Sequence, residues 1–221
     1  MIYHPDKNYL FVHIQKTGGT SISEALMKHA GVTFISPAHL QLQALEFSGQ
    51  RPFVFAVVRN PWDRLVSWYE MMKRKKIHND FSKYLLEPSS SGGAVSFSEF
   101  IRRTATIKEQ SLTESIYTKV DAWIPKQSIG YLKSLSFNQL DYLTDQDGKK
   151  SYDEIIRFED LPSDFCRVLR PFHPNIHSDW LMRINSNPAY KNYRDYFLNT
   201  ADRRWVAALY EKDIECFKFV F

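Results

Sequence analysis

The chain has only two cysteines, eight glycines and no apolar run longer than six residues in its 221. Each scarcity excludes something. Cys166 and Cys216 stand fifty positions apart, too few and too widely spaced for a disulfide scaffold, a zinc knuckle or a redox pair, so buried structural thiols in a reducing compartment are expected. The longest apolar run, Phe53 to Val58, is six residues against the roughly 20 a bilayer crossing needs, and no transmembrane segment is expected. The opening MIYHPDK lacks the basic start and apolar stretch of a secretory leader. As written the chain reads as cytoplasmic, although a piece trimmed from a longer, membrane-anchored protein would read the same. Charge of one sign is also scarce in excess: Lys and Arg exceed Asp and Glu by 29 to 25, a surplus of +4. That is too small for a dedicated nucleic-acid binder and enough to direct attention to anionic ligands. Most of it is local, since Arg51 to Lys76 holds seven basic residues and two acidic ones, a net +5.

With 43% apolar and 24% charged residues the chain is neither disordered nor fibrous, and its length suits a single domain spanning residues 1–221. Tyr9 to Ile14 (YLFVHI) is an almost continuous aromatic and β-branched run, the pattern of a strand buried on both faces. Ile22, Ala25, Leu26 and Ala30 then recur at helical spacing, with Gly31 where a left-handed terminator belongs. Val32 to Ile35 is a short second strand, Phe53 to Val58 the strongest strand of the chain, and Glu154 to Phe158 a late one. Asn60 caps a helix whose first residue is Pro61 and whose apolar stripe is Leu65, Trp68, Tyr69 and Met72. Glu87 to Ser96 reads as a loop, and Arg203 to Phe217 as a terminal helix turning Val206, Leu209, Tyr210 and Ile214 inward. Strands alternating with helices predict an α/β fold with a parallel sheet covered by helices.

The segment between the first strand and the first helix is KTGGTS, comprising Lys16, Thr17, Gly18, Gly19, Thr20 and Ser21. An open α/β sheet presents amide hydrogens and a helix N-terminus at this place, and glycines let the backbone approach an anion closely. The nucleotide-hydrolase spacing GxxxxGK is absent, because the lysine precedes the glycines. The strand FVFAVV ends in Arg59, where a phosphotransferase commonly carries a magnesium-holding Asp. A cation there points to a second phosphate, gripped by Arg59 and by the hydroxyl of Ser67 eight residues on.

The two motifs together resemble those of the sulfotransferases that use 3'-phosphoadenosine 5'-phosphosulfate (PAPS), the carbohydrate sulfotransferases in particular. The similarity continues through Leu140 to Lys149, Ile156 to Leu161, Tyr193 to Phe197 and Leu209 to Phe219, nearly the whole chain. Gln15 replaces a proline common before the loop lysine, Phe197 replaces a common second tyrosine, and Cys166 to Asn187 fits the pattern least well. The resemblance implies a P-loop nucleotide-binding fold with a central parallel sheet and PAPS as co-substrate without a metal. It further implies KTGGTS at the 5'-phosphosulfate, Arg59 and Ser67 at the 3'-phosphate, and in-line transfer to a carbohydrate hydroxyl. A small-molecule or lipid acceptor, a non-catalytic nucleotide-binding module and a kinase-like enzyme are the alternatives. Lys16 is then suitably placed to meet charge growing on the bridging oxygen.

An attacking hydroxyl also needs a base. Of seven histidines (His4, His13, His29, His39, His78, His173 and His177), His13 lies in the first strand and His29 near a helix end, where packing and the helix dipole account for them. His39, in the loop SPAHLQ at the expected carboxyl edge of the sheet, matches a loop histidine frequent in similar glycan sulfotransferases and is the catalytic candidate. Glu46 and Glu159 stand in reserve. Lys73 to Lys76 is either a solvated helix end or, with Arg102 and Arg103, a guide for an acidic polysaccharide. Arg157 approaches cofactor or acceptor, with Glu159 as its brace; spacing does not choose between these roles.

Overall fold

The computed structural model describes residues 1–35, 38–47, 49–75, 85–88, 94–111, 134–182 and 192–221. They fall into two compact units, Met1–Arg59 with Gln139–Pro188 and Asn60–Asn138 with Ala189–Phe221. His78, Lys76 and much of the Glu87–Ser96 stretch lie outside the described residues.

The first unit is built on a mixed five-stranded sheet: β1 (Ile2–His4), β2 (Tyr9–Val12), β3 (Thr33–Phe34), β4 (Phe53–Val58) and β5 (Glu154–Arg157), in the order β3-β1-β2-β4-β5. β2, β4 and β5 run parallel, as their near-continuous apolar sequences lead one to expect, and every residue of β2 and all of β4 after Phe53 is buried. β1 and β3 add an antiparallel flank. That flank goes beyond the parallel sheet expected: a three-residue strand is too short to show periodicity, although Pro5 to Asn8 is a turn sequence and Asn8 adopts φ +48°.

α1 (Gly19–His29) and α4 (Leu161–Leu169) cover one face of this sheet, packing Ile22, Ala25, Leu26, Phe165 and Leu169 against Tyr9, Phe11, Phe55, Val57 and Ile156. Truncating a buried side chain such as Leu26 to alanine costs about 2 to 5 kcal/mol in such a setting. α1 ends where Gly31 takes φ +65°. Two antiparallel steps from β2 to β1 to β3 make β3 run in the direction of β2, with Phe34 and Phe11 both level with Ile2. The chain leaving β3 therefore emerges at the carboxyl edge of β2, which is where His39 lies.

The second unit is helical: α2 (Pro61–Lys75), α3 (Phe97–Ser111), α5 (Thr200–Leu209) and α6 (Glu211–Phe217). Asn60 caps α2 as expected, its Oδ1 accepting from the Trp62 amide at 3.1 Å, and Leu65, Trp68, Tyr69 and Met72 are buried. Arg64 is spent on structure, donating to the carbonyls of Phe137 and Ser134. The terminal helix expected over Arg203 to Phe217 is two helices. Asn199 starts the first by accepting from the Asp202 amide, and Tyr210, at φ −121°, breaks the pair so that its hydroxyl reaches the Leu135 carbonyl at 2.8 Å. Val206, Leu209 and Tyr210 are buried, Ile214 only half so. The cysteines correct another expectation: neither is in a disulfide, and both are half-buried, not core thiols.

Candidate active site

Parallel strands deliver their succeeding loops to one edge, and three segments meet at the carboxyl edge of this sheet: the loop after β2, Arg59 after β4, and Arg157–Phe158 at the end of β5. The β2 loop turns sharply. Lys16 takes φ +68° and Gly18 φ +82°, the first rare and strained for a side chain with a Cβ. Such left-handed residues curl successive amides toward one point. Gly18 caps α1 without a side-chain hydrogen bond, and the first turn of α1 carries no acidic residue, so its partial positive charge is left for an external anion. Thr20 is exposed and Ser21 half-buried in that turn. The Thr17 hydroxyl is turned inward onto the Ile14 carbonyl at 2.9 Å, which leaves Thr17 only its main chain to offer.

Arg59 is 8% exposed. Gln139, fully buried, fixes its main chain from both sides: Oε1 accepts from the Arg59 amide at 2.8 Å and Nε2 donates to the Arg59 carbonyl at 2.9 Å. The Arg59 guanidinium donates to the Lys16 carbonyl at 3.2 Å and lies over the Phe158 ring, 4.1 Å from its centroid. Phe158 in turn closes on the loop, since a Cβ on Gly18 would stand 2.9 Å from the Phe158 ring. Loop, cation and ring thus form one assembly. Ser67 is half-buried in the second turn of α2, within the second unit.

His39 sits beside this assembly through His13. Its Nδ1–H donates to the His13 carbonyl at 2.9 Å, which leaves Nε2 as the lone-pair nitrogen of the neutral ring. The two rings meet edge to face with centroids 4.5 Å apart. Burial pushes both imidazoles below the ordinary histidine pKa, His13 to about 3. His13 also presses on the loop: a Cβ at Gly19 would come within 2.1 Å of its ring. Chemically the edge offers a sharply turned loop at a helix N-terminus, a buried cation and an imidazole whose pKa burial holds down.

The sequence profile of the sulfotransferase family matches residues 1–220. The chain belongs to the sulfotransferase family. A solved sulfotransferase from Alicyclobacillus acidocaldarius is 14% identical, over 98% of this chain and 100% of that one, with a TM-score of 0.40. No curated protein matches the chain significantly.

The chain is thus a sulfotransferase, an enzyme that moves a sulfuryl group, and its sheet edge accounts for most residues the sequence singled out. Lys16, Gly18, Gly19, Thr20, Ser21, Arg59 and His39 come together in the first unit. Three further residues hold this site without any sequence signal for that role. Gln139 and Phe158 lie in or beside segments that resemble the family, yet nothing in their spacing marks them as partners of Arg59. His13 reads in the sequence as a packed strand residue; it lies one residue beyond β2, stacked on Phe11, with its ring against Ser23 and Gly19 of α1.

Other expectations change. Glu46 shares a cavity of about 370 Å³ with Arg51, Asp145 and Ser151, residues that precede β4 and β5, so it lies at the amino edge of the sheet and is a poor reserve base. Glu159 is exposed just beyond β5. Within the first unit the basic window is divided, Arg51 pairing with Asp153 at 2.9 Å at the amino end of β4 and Arg59 lying at its carboxyl end; in the second unit Lys73 pairs with Glu70. Arg102 and Arg103 both engage Glu99, which offsets part of their charge for guiding an acidic polymer. No helix among the described residues is long and apolar enough to cross a membrane.

Proposed function

We propose that this sulfotransferase takes its sulfuryl group from PAPS and delivers it to a carbohydrate hydroxyl by in-line displacement. One observation carries the donor half of the reading: Arg59, buried and clamped by Gln139 and Phe158, bonds to the main chain of the very loop whose curled amides open α1. A loop of this kind suits a 5'-phosphosulfate, and a buried guanidinium beside it suits the 3'-phosphate that distinguishes PAPS from simpler nucleotides. The loop amides and the Thr20 and Ser21 hydroxyls hold the 5' end. Lys16 and the α1 N-terminus take up the negative charge that grows on the oxygen bridging sulfur and phosphorus as the sulfur–oxygen bond breaks. Ser67 adds a hydroxyl to the 3'-phosphate on the strength of its place at the end of the family-like segment Arg59 to Ser67, RNPWDRLVS.

His39 is the base. Its Nε2 accepts the proton of the attacking hydroxyl as the new sulfur–oxygen bond forms, and its Nδ1–H, tied to the His13 carbonyl, keeps the ring in the tautomer that does so. The carbohydrate acceptor rests on the likeness of the motifs to the carbohydrate branch. Incubation with sulfur-labelled PAPS and a panel of neutral and acidic glycans, alongside phenolic and lipid alcohols, tests the whole reading. Label in a glycan is expected; label only in a phenol or lipid overturns the acceptor assignment, and label in none overturns the donor.

A further inference from the structure

We propose that His13 is a positioning residue for sulfuryl transfer, its ring setting the phosphate loop and its carbonyl setting the base. The inference rests on the reading of His39 as that base. The His13 ring is fixed from three elements. Phe11 of β2 stacks on it with centroids 5.9 Å apart and planes 24° from parallel; Ser23 of α1 reaches its Nδ1 at 3.4 Å; the His39 ring meets it edge to face at 4.5 Å. The side toward Gly19 is so close that a Cβ there would stand 2.1 Å from Cδ2 and 2.5 Å from Nε2. The glycine is therefore required as much by this ring as by any ligand.

The same residue's carbonyl receives the Nδ1–H of His39. A displacement of the loop against the ring is passed to the hydrogen bond that aims the base, so the distance between donor and base is set within one residue. In-line transfer depends on that distance, because an error near 1 Å costs on the order of 100-fold in rate. The ring also covers part of His39, which is half-buried. Among the described residues, the titratable groups facing His39 are His13, just after β2, and the amino group of Met1, before β1, which donates to the carbonyls of Ile35 and Ala38. Burial pushes the His13 pKa down to about 3, so near neutral pH its ring places no positive charge against the base.

The experiment compares His13→Ala, His13→Phe and His39→Ala in kcat, donor KM, binding of 3'-phosphoadenosine 5'-phosphate and, by NMR, the titration of the His39 ring. His13→Ala is expected to lower kcat by about 100-fold while the nucleotide still binds, and to move the His39 titration up toward about 6.5 as water enters. His13→Phe, which keeps a flat ring against Gly19 and His39, is expected to recover most of the rate and the original titration. Wild-type kcat with an unmoved His39 titration in His13→Ala overturns the proposal. So does a folded His13→Phe as slow as the alanine variant, which would mean that the imidazole itself reacts. If His13→Ala does not fold, His13→Leu, which fills the core but lacks a flat face, carries the same expectations. Turnover surviving in His39→Ala overturns the base reading alone, and the His13 variants still decide whether the ring sets the loop.

Discussion

The Arg59 guanidinium lies 4.1 Å from the centre of the Phe158 ring, and the same ring closes on Gly18. A cation held face-on to an aromatic ring is stabilised by about 0.5 to 2 kcal/mol, more as water is excluded. The ring thereby aims the cation and limits the loop at once. Phe158→Ala should weaken 3'-phosphoadenosine 5'-phosphate by about that amount while its melting temperature falls modestly. Calorimetry reads the affinity; an unchanged value would mean that Arg59 needs no help from the ring.

Arg59→Ala should cost more, about 2 to 5 kcal/mol, because it removes one partner of a desolvated charge pair. The loss should appear against the 3',5'-bisphosphate and not against adenosine 5'-phosphate, which lacks the group Arg59 is proposed to read. Equal losses for the two nucleotides would assign Arg59 to the 5' end.

Lys16 carries two separable roles. Its ammonium is proposed to act on the transition state, so Lys16→Ala should lower kcat far more than it weakens binding of the spent nucleotide. Its backbone, at φ +68°, is strained in a way glycine would not be. Lys16→Gly should therefore be as inactive as Lys16→Ala and yet more stable than it by about 1 kcal/mol. Denaturant unfolding of the two variants checks this, and a glycine variant less stable than the alanine one contradicts it.

A pH effect on stability is expected far from the loop. His173 is buried with Nε2 on the Tyr9 hydroxyl at 2.9 Å and Nδ1 on the Lys7 ammonium at 3.0 Å. Burial, with the charge of Lys7 and then His4, lowers its pKa to about 4. A histidine kept neutral by folding adds stability that is full above its unfolded pKa of about 6.5. That stability is lost as pH falls from there toward 4. Melting temperature should decline across that window in the wild type and more gently in His173→Gln.

Long apolar runs and paired caps made the parallel strands, α1 and the Asn60–Pro61 start of α2 legible in the sequence, because burial and capping are local constraints written in a few residues. The turn of the loop was legible for the same reason: left-handed backbone at Gly18 favours glycine at a fixed place between a strand and a helix. The β1–β2 hairpin was not, since three residues carry no period, and neither was the break at Tyr210, which is set by a hydrogen bond to Leu135, 75 positions away in sequence. Gln139 escaped as a partner of Arg59 because it stands 80 positions away in sequence, and Phe158 because it follows β5, which meets β4 only in the sheet. His13 is packed as its place in the strand run suggests, but its contact with His39, 26 positions on, is not written in local spacing.

The pH dependence of turnover tests His39 most directly. Burial lowers its pKa below the ordinary histidine value, against the opposing pull of the His13 carbonyl, which favours the protonated ring. The neutral ring is the form able to accept a proton, so kcat/KM should stay level as pH drops through about 6.5 and fall only below it. In His39→Ala that acidic limb should vanish and the rate drop by about 100- to 10,000-fold, with nucleotide affinity retained because the loop and Arg59 are untouched. A histidine that serves only packing would behave differently: its removal would lower the melting temperature and leave both the limb and the rate. Measuring rate, affinity and melting on one His39→Ala preparation separates the two, and a limb that survives in the variant moves the base to another group at the same edge, with exposed Glu159 the first to substitute.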